Sequence, residues 1–117
     1  MVLIAEDEES NFLYLEALFG QYDCEVFSAK NGIQAVELFK SIADLDFIMM
    51  DIKMPLMNGL DAMIEIRKID EKIPIVAQTA YAMEDDKRLA AEAGCDYYLS
   101  KPISAKHLKE IVAMIIS

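Results

Sequence analysis

Short unbroken apolar runs alternate along this chain with segments whose apolar residues recur every three or four positions, the pattern of strands fed by helices. The runs Val2-Leu3-Ile4-Ala5, Phe47-Ile48-Met49-Met50, Ile75-Val76-Ala77-Gln78 and Tyr97-Tyr98-Leu99-Ser100 show little polar alternation, as do strands buried on both faces of a parallel sheet. Glu25-Val26-Phe27-Ser28 is a further strand, second in chain order, and Asp46 opens the third. A first helix is predicted over 10–22, with Phe12, Leu15, Leu18, Phe19 and Tyr22 on one face. Asn31 caps the next helix while Gln34 reaches back, and Ala35, Val36, Phe39 and Ile42 form its apolar stripe. After the Pro-, Asn- and Gly-punctuated loop Met54-Pro55-Leu56-Met57-Asn58-Gly59, the pattern Leu60, Met63, Ile64 announces a third helix. Pro74 is tolerated as the first residue of the fourth strand. A fourth helix over 83–93 has a face made mostly of alanine and the charged run Asp85-Asp86-Lys87-Arg88, a segment expected to pack weakly and to move. Ser104 caps the last helix, with Leu108, Ile111, Val112 and Ile115 at helical spacing. Five strand-helix units account for nearly every residue, which predicts an α/β fold with a mainly parallel sheet.

At 117 residues this is one domain, spanning 1–117. It is long enough to bury about two-thirds of the surface of the unfolded chain. No apolar stretch approaches the roughly 20 residues of a membrane helix, so no membrane contact is expected of this domain. The first residues carry no basic region followed by an apolar segment and a small-residue cleavage site, so the expected location is the cytoplasm. A net charge of −10, from 21 acidic and 11 basic residues, opposes direct binding to nucleic acid or anionic membrane. Cys24 and Cys95 lack the spacing of a zinc site or a redox pair and read as buried reduced thiols.

The chemistry collects at the strand ends. Glu6 and Asp7 follow the first run, Asp51 the third, Thr79 the fourth and Lys101 the fifth. In a doubly wound sheet the ligand crevice lies outside the carboxyl ends of the strands, where the strand order reverses. If the first and third strands are neighbours there, three carboxylates crowd together, and each pair about 5 Å apart repels by roughly 3 kcal/mol at an effective dielectric near 20. A hard divalent ion relieves that repulsion, and Mg²⁺, which takes one or two carboxylates and keeps positions for water and phosphate oxygens, suits phosphoryl chemistry. Asp51 is placed as the nucleophile, since carboxylates accept phosphoryl groups. Lys101, Thr79 and backbone amides after Asp51 would neutralise and bond the phosphoryl oxygens.

These residues resemble the receiver domain of two-component response regulators over the whole chain. The matching stretches are Ala5-Glu6-Asp7-Glu8, Met50-Asp51-Ile52-Lys53-Met54-Pro55 with Asn58-Gly59, Gln78-Thr79-Ala80, and Tyr98-Leu99-Ser100-Lys101-Pro102. The resemblance implies a flavodoxin-like five-stranded parallel sheet of order 2-1-3-4-5 with helices on both faces. It implies a phosphoacceptor switch, not a classical enzyme, that takes a phosphoryl group from a histidine kinase or histidine phosphotransfer protein onto Asp51. Mg²⁺ would be bound through Asp7, Asp51 and the Lys53 backbone carbonyl, with Glu6 acting through water. Thr79 would swing toward the phosphoryl group while Tyr98 turns inward, reshaping a face of the fourth helix, fifth strand and fifth helix that meets a downstream effector. The Lys101-Pro102 peptide is expected to be cis. "QTAYAM" and "AGCDYYLSKPI" look most like receivers attached to hybrid histidine kinases; a stand-alone single-domain regulator is the alternative. Glu6 stands where many receivers have Asp, and Lys53 and Tyr81 are expected to influence access of attacking water.

Taken singly, the same residues have plainer readings. A lone Asp after a strand forms turns, a lone Lys is a solvated surface group, Thr79 and Tyr98 suit strands, and acidic residues at a helix start favour its dipole, the role read for Glu8 and Glu9. His107 reads as an exposed helix residue. An aspartyl-nucleophile phosphatase of the haloacid-dehalogenase type would carry a second Asp two residues after the first, where this chain has Lys53. A nucleotide-binding module would need GxGxxG or GxxxxGK[ST], and neither occurs. A degenerate receiver serving only for docking would not need the intact set of acid, Asp, Thr and Lys.

Overall fold

Four-residue apolar strands can be satisfied only if both faces are covered, and a computed structural model of the chain shows how that is done. The structure describes residues 1–80 and 84–116. The elements run β1 (Val2–Ala5), α1 (Glu9–Gly20), β2 (Val26–Ala29), α2 (Gly32–Ser41), β3 (Phe47–Asp51), α3 (Gly59–Ile69), β4 (Ile75–Thr79), α4 (Glu84–Ala93), β5 (Tyr97–Ser100) and α5 (Ala105–Ile116). All pairings are parallel and the order is β2-β1-β3-β4-β5, as expected. Alternate residues of each strand divide between two apolar layers. Leu3, Ala5, Ile48, Met50, Ile75 and Ala77 face α2, α3 and α4. Val2, Ile4, Phe47, Met49, Val76 and Leu99 face α1 and α5.

Caps fix where three helices begin. The Asn31 side chain accepts from the Gln34 N–H at 2.9 Å while Gln34 Oε1 accepts from the Lys30 N–H at 2.8 Å. Asn58 accepts from Asp61 at 2.9 Å, and Ser104 from His107 at 3.2 Å; His107 itself is exposed. The Lys101-Pro102 peptide is cis.

Several boundaries and faces differ from the sequence reading. β2 lies one residue later, leaving Glu25 outside, and β3 starts at Phe47, after Asp46. The first helix stops at Gly20, so Tyr22 falls beyond it and is exposed, and Ile42 caps α2 instead of lining it. In α3 the inward face is Ala62, Met63 and Ile66, whereas Ile64 points outward, because a core at i, i+3, i+4 counted from Gly59 passes through 62, 63 and 66. Cys24 and Cys95 are free, as expected, but half-buried. α4 buries only Ala90 and Ala93, in line with its alanine face; Met83 lies outside the described residues.

Candidate functional site

The strand order sets β1 beside β3, with Ala5 level with Met50, so the chain leaving β1 at Glu6 and the last residue of β3, Asp51, emerge together. One ligand oxygen from each of Glu6, Asp7 and Asp51 lies within 4.8 Å of the others. Lys101 reaches in from the end of β5: its Nζ is 2.6 Å from Glu6 Oε1, 2.9 Å from Asp51 Oδ2 and 3.6 Å from Glu8 Oε1. Glu6 is 0% and Asp51 2% exposed, whereas Asp7 faces solvent. Thr79 is 0% exposed at the end of β4, and its carbonyl accepts from the Lys101 N–H at 2.8 Å, tying the two strand ends together. The expected carboxylates, hydroxyl and ammonium therefore do share one end of the sheet.

Local backbone supports this arrangement. The Lys53 N–H donates to Asp51 Oδ1 at 3.1 Å, which folds the turn after β3 back onto the carboxylate. Gly59 donates to the Ile52 carbonyl at 2.9 Å, and a Cβ on Gly59 would lie 2.1 Å from the Asp51 carbonyl oxygen. Only glycine permits that approach. Gly32 is likewise pressed against the Met57 carbonyl, which would meet a Cβ at 2.4 Å. The β3–α3 loop is thus held from both sides.

Electrostatics divide the carboxylates. Burial pushes the Asp51 carboxyl up to about 7, assisted by its hydrogen bond with Glu6 and opposed by Lys101. Burial would raise Glu6 as well, but hydrogen bonds from the Asp51 carboxyl, Lys101, the Glu8 N–H and the Asn11 side chain outweigh it and hold Glu6 below the usual carboxylate range. A proton shared by the pair is therefore favoured on Asp51 over Glu6. Lys101 is favoured as the ammonium: burial opposes the charge, but the bonds to Glu6 and Asp51 prevail. Asp7 is raised by partial burial and by Glu6.

With Glu6, Asp7 and Asp51 ionised, three negative charges face the Lys101 ammonium, with Glu8 a fourth at 3.6 Å, so the pocket keeps a net negative charge that a divalent cation would offset. The donors are oxygens, so the set fits a hard ion such as Mg²⁺. Glu8, read both within the acidic stretch Ala5-Glu6-Asp7-Glu8 and at the start of α1, does face Lys101. Two contacts escaped the sequence reading: Asn11 braces Glu6, and the Lys53 ammonium sits 3.8 Å from Asp86, joining the loop to α4. The Asn at i+5 from a buried Glu is a spacing that could have indicated the brace. Tyr98 lies in β5 against the α2–α3–α4 layer, half-buried, its hydroxyl buried without a hydrogen-bond partner among the described residues. Burial, with Asp86 and Cys95 nearby, raises its phenol. Tyr81 lies outside the described residues.

An α/β sheet of this order with an acidic pocket at its carboxyl edge defines the class of CheY-like folds. The response regulator receiver domain family matches residues 2–113, and the chain belongs to that family. It is 40% identical over 120 residues to hybrid signal transduction histidine kinase I of Dictyostelium discoideum, covering 95% of this chain and 7% of that protein. It is 34% identical over 113 residues to the polar-differentiation response regulator DivK of Brucella anthropi, covering 95% and 91%. The chain thus spans a small part of one relative and nearly all of the other. Among solved structures it superposes with a TM-score of 0.90, at 33% identity, on the receiver domain of sensor histidine kinase PA1611 from Pseudomonas aeruginosa PAO1, covering 99% of this chain and 97% of that one; a magnesium ion is coordinated in the active site cleft of that protein. The match to the receiver family bears out the resemblance read from the sequence.

Proposed function

We propose that this receiver domain takes a phosphoryl group onto Asp51 from a phosphohistidine of a histidine kinase or phosphotransfer protein. The observation that carries the reading is the convergence of Glu6, Asp51 and Lys101 from three strands within hydrogen-bonding distance. An Asp51 oxygen attacks the phosphorus, a P–O bond forms as the P–N bond breaks, and the imidazole leaves with the bonding pair. Mg²⁺, held by Asp7, Asp51 and the Lys53 carbonyl with Glu6 acting through water, would neutralise the phosphoryl charge and favour ionised Asp51. Lys101 transfers its bonds from the carboxylates to a phosphoryl oxygen, and Thr79 and the amides after Asp51 supply the others. The engaged Thr79 then favours a rearranged Tyr98 and a different face of α4, β5 and α5 for an effector. Lys53 offers an ammonium, not the second carboxyl that a phosphatase acid would need, so turnover of phosphate esters is not expected.

The likeness to a hybrid kinase and to the PA1611 receiver favours a place within a sensor kinase of the cytoplasm; the likeness to DivK supports a stand-alone regulator. The flanks of the gene separate them: an upstream kinase core supports the first reading, and neighbouring stop and start signals the second. Phosphotransfer tests the site. A phosphorylated histidine donor with Mg²⁺ should label the wild type, and Asp51→Asn should reduce labelling at least 100-fold (about 2.7 kcal/mol). Equal labelling of the variant would exclude Asp51 as acceptor.

A further inference from the structure

Gln78 is fully buried, and neither Nε2 nor Oε1 of its side chain has a hydrogen-bond partner among the described residues. It lies level with Asp51 in the β3–β4 register and level with Leu99 in the β4–β5 register. Strand alternation puts it on the α1–α5 face with Val76 and Leu99, the face that Met49 and, two residues on, Asp51 also share. Lys101 begins beyond β5 and ends at Asp51 and Glu6, so its side chain must span the end of β4, two strands being crossed before Glu6 is reached. Gln78 belongs to that intervening strand, level with Asp51, the carboxylate that Lys101 reaches. An unmet buried amide is a standing cost to folding, since both a donor and an acceptor have lost water. That cost lies on the strand beside Asp51, which the Lys101 ammonium meets at 2.9 Å.

We propose that Gln78 is a positioning residue for Lys101: its carboxamide oxygen receives the ammonium when Asp51 and Glu6 turn to metal and phosphoryl group. In the resting pocket Lys101 spends two N–H donors on Glu6 and Asp51, with Glu8 distant at 3.6 Å. An ammonium has three donors, and occupying the carboxylates frees them. The neighbouring unbonded carbonyl of Gln78 then holds Lys101 over the phosphoryl site without competing for it as an anion would. This inference rests on the phosphoacceptor reading.

The test substitutes Gln78→Met, close in size and without the amide. Three quantities are measured against wild type: the thermal midpoint without metal, the rate of phosphorylation by acetyl phosphate with Mg²⁺, and the ¹⁵N signal of Lys101 Nζ with and without Mg²⁺ and beryllofluoride. The variant should melt about 4 °C or more higher, since two unmet groups are removed. It should be phosphorylated about tenfold more slowly. Its Lys101 signal should differ from wild type only in the beryllofluoride state. A variant with a higher midpoint but wild-type rate and wild-type Lys101 signal would overturn the proposal, making Gln78 a packing defect alone. A lower midpoint would also overturn it, because the amide would then be bonded in the resting protein. If wild type itself takes up no phosphoryl group from acetyl phosphate or from the histidine donor, it is the phosphoacceptor reading that fails.

Discussion

In the proposed role Asp51 is held between opposing demands: as nucleophile and ligand it would have to be ionised, yet its burial and the adjoining Glu6 charge favour the proton, leaving its carboxyl near 7. A carboxyl raised this way stabilises the folded metal-free domain at low pH, and that contribution disappears as pH climbs from about 4, where the unfolded chain ionises, to about 7. Glu6, whose pKa is lowered, acts in the opposite sense, its contribution present above the ordinary carboxylate range and lost on acidification. For metal the consequence is competition between a proton and a cation for one carboxylate. Calorimetric titration with Mg²⁺ should show affinity falling about tenfold per pH unit below about 7, with nearly one proton released per ion, and levelling off above it. A profile flat between about pH 5 and about pH 7 would mean that Asp51 is already ionised without metal.

At the scale of elements, the site depends on how closely the start of α3 approaches the end of β3. Gly59 reads from sequence as loop punctuation; its contact with the backbone of Asp51 explains why that position takes no side chain. Gly59→Ala should destabilise the domain by about 3 kcal/mol in urea unfolding and weaken Mg²⁺ binding, because the Asp51 backbone must move to admit a methyl group. Unchanged stability would show that the loop can give way. Runs of unbroken apolar residues made β1, β3, β4 and β5 legible, and polar caps made the starts of α2, α3 and α5 legible. What pattern alone could not resolve were ends and faces. Ile64 and Ile66 are equally apolar, and only the packing of α3 on the sheet decides that Ile66 is the buried one. Tyr22 continues the helical spacing, yet the chain turns after Gly20 to enter β2.

For the whole molecule, parallel order explains why chemistry scattered over nearly a hundred residues becomes local: every strand delivers its last residue to the same edge. That much followed from strand-end residues. The roles within the acidic run did not, since periodicity cannot say that Glu6 turns under Lys101 while Asp7 stays at the surface. Arg67 shows another contact beyond sequence reach, donating to the Gly94 and Ile73 carbonyls and to Asp96, and so joining α3 to the segments before β4 and β5. A phosphoryl group on Asp51 would add close to two negative charges to a chain that already carries −10, beside the Lys101 ammonium and an acidic cluster that could hold a divalent ion to balance them. Mapping the phosphoryl group after transfer from a phosphohistidine donor tests this most directly. The account predicts a Mg²⁺-dependent label, labile in alkali as an acyl phosphate is, confined to the peptide containing Asp51. A label stable in alkali, or one found on Thr79 or another residue, would contradict it.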